Sequence, residues 1–356
     1  MLDLLRQKLE SLTQIPGVSG HEIPIVRYLM EVLPPSVDAL EVDAMGNVMT
    51  RTSGNRPGPQ LMLAAHSDQI GAVVSHIDDT GFLRFNKVGG TLDALLLGRK
   101  VRVGEIPGII GVKPGHYQTR EEREKVVPAS KMYIDVGCQN AEAVRALGIE
   151  VGSPVTYQDS LTFLQNGHQF AGAGVDNRVG CAVLWQVLER IADGDFGGTL
   201  WGVFTAQEEV GLKGAGVAAH RIQPDFALAI DTVPCGGTPD VNPNQLPTDI
   251  GLGPVFPWVT GSRGQFSTPP QIRKQLLETA NAHDIPHQIM IFAGGGNDAS
   301  TMQLAGDGIP SGSITLPRRY SHSPVEMGDL HDMVNAVKLI DAIVREMETH
   351  TPQRFI

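Results

Sequence analysis

Seven carboxylate and imidazole side chains stand where an α/β protein gathers its chemistry. His66 closes the apolar run LMLAAH (61–66), and Asp68 lies two residues on. Gln207-Glu208-Glu209 follows TLWGVFTA (199–206), and Asp231 closes FALAID (226–231). His322 lies in RYSHSPVE just past SGSITL (311–316), and Asp176 sits in GVDNRVG (174–180) ahead of a helical stretch. Open α/β sheets bind ligands outside the carboxyl ends of their strands. His66, Asp176, Glu209, Asp231 and His322 are thus expected at one edge of one sheet.

Each residue alone has an ordinary explanation. Asp before a helix is a common N-cap, a single histidine is usually a hydrogen-bonded structural residue, and Glu208-Glu209 on its own reads as a solvated pair. Their coincidence is harder to dismiss, because carboxylates gathered at one edge repel unless a cation offsets them. Two imidazoles and three carboxylates without a thiolate suit Zn, Co or Mn. Two such ions ~3.5–4 Å apart can share one carboxylate and activate a water between them. Glu208, next to a ligand and not needed as one, is placed to act as general base. Asp68 can orient the His66 imidazole or a neighbouring group.

The elements that must carry these residues read as follows. Leu2, Leu5, Leu9 and Leu12 recur at helical spacing, so the chain opens with an amphipathic helix. A second helix over about 21–33 ends at a Pro pair. Strands are expected near 38–43, 47–52 and 61–66. From 72 to 168 short β-like runs punctuated by Gly and Pro replace helical periodicity, the texture of a small, mostly-β insert. After 175 helices near 177–194, 213–221, 269–283, 298–305 and 329–348 alternate with strands at 199–206, 226–231, 288–293 and 311–316. That alternation predicts an α/β fold with a mostly parallel or mixed central sheet covered on both faces. The domains are then a discontinuous one over 1–71 and 169–356, and an insert over 72–168.

Composition narrows the function. A net charge of -11 gives no Lys/Arg excess to neutralise phosphates, which argues against nucleic-acid or anionic-membrane partners. The start MLDLLRQKLESL has no apolar signal region, and no apolar run reaches the ~18 residues of a membrane span. Cys138, Cys181 and Cys235 are widely spaced, which fits reduced thiols in the cytoplasm. The phosphate-loop, H-E-x-x-H and G-x-S-x-G motifs are absent. With 5% aromatic residues the chain offers few platforms for stacking sugars, and its carboxylates are better used as ligands than as a glycosidase pair.

Taken in order, AHSDQIG (65–71), GVDNRVG (174–180), TAQEEVGLKGA (205–215), AIDT (229–232), GGND (295–298) and RYSHSPVE (319–326) resemble the glutamyl aminopeptidase or tetrahedral aminopeptidase family of dinuclear metallopeptidases. Some of its members carry the name endoglucanase, others deblocking or lysyl aminopeptidase. The resemblance spans nearly the whole chain and implies a zinc-peptidase-like fold. Segment 72–168 is similar to that family's PDZ-like dimerisation domain. The resemblance further implies that Asp176 bridges two divalent ions per subunit, that His66 and Asp231 complete one site, and that Glu209 and His322 complete the other. Glu208 is then the catalytic base, supported by Asp68, with Gly295, Gly296, Asn297 and Asp298 at the substrate. Two positions depart from the family pattern: Gln69 stands where Glu is usual, and Asn297 where Thr is usual. Neither removes a ligand or the base. The expected activity is removal of N-terminal residues from peptides with a free N-terminus, by dimers that can close into a tetrahedral dodecamer. A deblocking or deacylating hydrolase on the same scaffold is the alternative, and a binding protein that kept its metals is a third. The preferred N-terminal residue is not readable, although Arg263 and Arg318 are candidates for selecting acidic substrates.

Overall fold

A computed structural model describes residues 1–34, 37–158, 160–261 and 266–349. Its centre is a nine-stranded mixed sheet. Four parallel strands form the middle, in the order Gly197–Thr205, Arg56–His66, Phe226–Pro234 and Ser311–Arg318. Antiparallel neighbours flank them: Val48–Ser53 and Ala39–Val42 on one side, Val255–Thr260 on the other. The period-2 alternation of a strand explains why both faces are covered. Leu61, Leu63 and Ala65 join the large core, while Met62 and Ala64 join a second core on the opposite face.

The large core is built by helices Leu2–Gln14, Val175–Arg190 and Leu330–Glu346. Val175–Arg190 is apolar nearly all round because it lies between the other two helices and the sheet. The opposite face takes the alanine-rich helix Lys213–Ile222 through Ala215, Ala218 and Ala219, which lie close to the small residues Ala64, Ala227 and Ala229. Leu9 is fully buried between helices and sheet, whereas Leu4 of the same helix is exposed. Leu9→Ala is expected to remove ~2–5 kcal/mol of stability. Leu4→Ala should stay within ~0.5 kcal/mol of native. Urea unfolding of both proteins, freed of metal, checks the pair.

The mostly-β insert is a closed six-stranded antiparallel barrel running from Gly71–Ile77 to Pro154–Tyr157. It has a hydrophobic core of its own, with Val74, Phe85, Val101, Ile134 and Val155. A three-stranded sheet, Thr162–Phe163, Gln169–Gly172 and Glu326–Asp329, lies beside helix Val175–Arg190.

Two sequence expectations change. The helix expected over 298–305 is only Ala299–Met302, because the chain then turns back through Gly306 and Gly308, both at positive φ. Strand Val255–Thr260 carries a Pro at position 257, and Glu326–Asp329 has no apolar alternation, so neither shows in the sequence pattern. Their pairing with Ser311–Arg318 and Gln169–Gly172 creates them. Among the described residues, no helix is long and apolar enough to cross a membrane.

Candidate metal centre

Parallel pairing of Thr205 with His66, and of Asp231 with Thr315, brings the strand ends to one edge. There His66 is buried and held from two sides. Its Nδ1 lies 3.2 Å from the carbonyl of Asp68, and its own carbonyl accepts from Cys181 Sγ at 3.1 Å. Its Nε2 faces acids: Asp176 Oδ1 at 3.3 Å, Asp231 Oδ1 at 3.5 Å and Glu208 Oε2 at 4.0 Å. His322 Nε2 faces the other Asp176 oxygen, Oδ2, at 3.6 Å, and Glu209 Oε2 at 3.8 Å. The two oxygens of Asp176 are thus turned toward different imidazoles.

Asp176 is not a helix cap. The N-cap position is Gly174, and the Asp176 carboxylate accepts instead from Thr232 Oγ1 at 2.9 Å. Asp68 works through the backbone. Its Oδ1 accepts from the Glu208 N–H and its Oδ2 from the Glu209 N–H and Ser19 Oγ. Glu22 Oε1 takes the N–H of Gln207, which sits at positive φ just before the pair. Two buried acids from different parts of the chain therefore fix the loop carrying Glu208 and Glu209.

Three residues organise this edge without standing out in the sequence. Glu326 accepts from the backbone N–H groups of Asp176 and His322 at 2.9 Å each. Arg318 is buried rather than exposed on a loop, and pairs with Asp176 and Glu326 at 2.5 Å each, so it is not free to select substrates. Gly90, from the barrel, places its carbonyl 3.2 Å from His322 Nδ1. The spacing of Glu326, four residues past His322, is the one sequence signal among these. Arg263 lies outside the described residues.

The loop expected at the substrate divides. Gly295 and Gly296 are partly or fully accessible. Asn297 and Asp298 are buried, Asn297 bonding Ser313 Oγ at 2.9 Å and Asp298 accepting from Thr205 Oγ1 at 2.6 Å. Gln69 points its Oε1 to Arg178 at 3.3 Å.

The electrostatics are those of a site built for positive charge. Burial, reinforced by Asp231 and Asp298, pushes the Glu208 carboxyl well above its ordinary range. Burial and the Asp176 charge push Glu209 up to about 8. Burial likewise raises Asp298 to about 7. Burial would lower His66, but Glu208 and Asp231 overcome it and hold the imidazole well above its usual value. Burial would raise Asp176, but Arg318, His322 and His66 hold it well below. Glu209 Oε1 is buried without a hydrogen-bond partner. Such an oxygen is costly to desolvate unless a cation meets it. One ligand atom each from His66, Asp176 and Glu209, and from His66, Glu208 and Asp231, lie within 4.8 Å of one another. The donors therefore fit divalent ions.

His168, Asp329 and His331 form another cluster of this kind. There Asp329 caps helix Leu330–Glu346 by accepting from the His331 N–H at 2.9 Å. The positive end of that helix disfavours a cation, so a capping role accounts for it.

The sequence profile of the family described as M42 glutamyl aminopeptidase matches residues 46–339. The chain belongs to that family. It is similar to an aminopeptidase from the archaeon Desulfurococcus kamchatkensis, with TM-score 0.93 and 34% identity over 100% of this chain and 99% of that one. It is 31% identical to the lysyl aminopeptidase of Pyrococcus furiosus over 97% of each chain. The TET1 peptidase of Pyrococcus horikoshii, which can assemble into a tetrahedron or a large octahedral shell, superposes with TM-score 0.83 at 32% identity, over 96% of this chain and 99% of that one. This M42 chain is accordingly an aminopeptidase, a hydrolase of peptide bonds, in a metal-dependent family with an α/β fold and an inserted barrel.

Proposed function

We propose that the chain removes N-terminal residues from peptides through a two-ion centre in which Asp176 is shared. The observation that carries this reading is the pair of Asp176 oxygens, one facing His66 and the other His322, amid buried acids and a partnerless Glu209 oxygen. His66 and Asp231 hold one ion with Asp176, and Glu209 and His322 hold the other. When bound, two divalent ions (Zn, Co or Mn) polarise the scissile carbonyl and lower the pKa of a water. Glu208 takes the proton of the attacking water and returns it to the leaving amine. Asp68 holds Glu208 at its backbone and steadies His66 through Nδ1. Gly295 and Gly296 edge the substrate, while Asn297 and Asp298 support that loop from within.

The division into a catalytic part (1–71 and 169–356) and an insert (72–168) assigns the barrel to self-association. Dimers and a closed dodecamer, by analogy with the Pyrococcus horikoshii shells, would admit only peptides able to enter. Three free cysteines and the lack of an apolar leader support a cytoplasmic location, with neither nucleic acid nor membrane as partner.

Chelation followed by addition of Zn, Co or Mn tests the reading on aminoacyl-p-nitroanilides. Free-amine substrates are expected to turn over only with metal, and their N-acetylated forms not at all. Turnover of acetylated substrates alone would hand the site to the deblocking reading.

A further inference from the structure

We infer that the barrel takes part in the metal centre: the carbonyl of Gly90 is a positioning group that fixes the His322 ring for its ion. The inference rests on reading His322 as a ligand. His322 sits in a loop at positive φ, and its side chain is 40% exposed, so its own packing does not lock the ring. Its Nδ1 lies 3.2 Å from Gly90 O, a distance that suits donation, while Nε2 faces Asp176 and Glu209. A metal-binding imidazole commonly donates its other N–H to a carbonyl or carboxylate, which fixes both tautomer and ring orientation.

The loop that supplies this carbonyl is braced by the barrel. It follows strand Leu83–Val88. Lys87 Nζ donates to Thr91 O at 2.7 Å and to Asp93 Oδ1 at 2.6 Å. The Tyr157 hydroxyl, from the last barrel strand, donates to Thr91 Oγ1 at 3.2 Å. Asp93 in turn accepts from the Ala129 N–H. The carbonyl is thus carried on the barrel, whereas the imidazole it orients belongs to the other core.

The residue at 90 explains the closeness. A Cβ there would fall 2.8 Å from His322 Nδ1 and 3.2 Å from its Cε1, so any side chain displaces the ring. Gly90 is not among the glycines at positive φ. An alanine is therefore compatible with the backbone, and its effect reports the contact.

Calorimetric titration of Zn or Co into chelator-stripped full-length protein tests this. Gly90→Ala is expected to keep one ion at native affinity and weaken the other about 10–100-fold. His322→Ala should lose that same ion, and metal-free Gly90→Ala should melt with the native protein. Two ions at native affinity in Gly90→Ala, alongside loss of one in His322→Ala, would overturn the positioning role alone. Two native ions in His322→Ala would remove the ligand reading and the inference with it. If metal-free Gly90→Ala melts early, the double variant Lys87→Met/Tyr157→Phe decides. That variant unbraces the loop without adding an atom beside the ring, and unchanged affinity for both ions in it would reject the proposal.

Discussion

Glu208→Gln should lower kcat by about 10²–10⁴-fold while leaving metal content and KM close to native. The side chain keeps its size, and Asp68 still holds the backbone N–H of residue 208, so the loop carrying Glu209 is undisturbed. What disappears is a group able to take the proton of the attacking water and give it to the leaving amine. The experiment needs kcat and KM on one good aminoacyl-p-nitroanilide, with zinc or cobalt counted per chain by mass spectrometry. A rate within 10-fold of native would remove Glu208 as the base. Loss of an ion together with the rate would mean that Glu208 is a ligand instead. That outcome is geometrically open, since Glu208 and Glu209 each form a close triad with His66.

Asp176→Asn and Glu209→Gln should both abolish activity by loss of metal, yet move the stability of the metal-free protein in opposite directions. Asp176 is buried, but Arg318 meets its Oδ2 at 2.5 Å. Removing its charge leaves the buried guanidinium with Glu326 alone, and breaking a buried pair costs about 3–5 kcal/mol. Glu209 has no such partner. Its Oε1 is buried and unbonded, and the Asp176 charge lies close enough to disfavour a second anion. Without metal, neutralising it relieves repulsion, so metal-free Glu209→Gln should melt above native while Asp176→Asn melts below. With Zn present, native protein should be the more stable of the two loaded forms, because binding to the folded state alone stabilises it. Thermal melts of the three proteins, with and without metal, make the comparison. Equal shifts for both variants would refute the assigned asymmetry.

These expectations draw unequally on sequence and structure. Chemical type was readable along the chain. His66, Glu208, Glu209, Asp231 and His322 each follow an apolar strand-like run, and strands that end in polar residues announce a sheet edge whatever the fold. The barrel was readable as a change of texture from 72 to 168, because Gly and Pro punctuation and short β-like runs are local properties. Helix and strand periodicity also placed nearly every element of the central sheet, apart from short ones such as Glu326–Asp329 that exist only through their pairing.

The second layer of the site was decided by tertiary structure. Ser19 and Glu22 lie in a loop that reads as a turn, yet they meet Asp68 and Gln207 across the fold. Arg318 looks like one more solvated charge until packing buries it against Asp176 and Glu326. Gly90 carries no functional group at all, and its contact with His322 joins positions separated by most of the chain. Ligand identity is a property of a side chain and survives in the sequence. Orientation and charge balance are properties of distances between residues remote in sequence, and those distances exist only once the sheet, the helices and the barrel have packed.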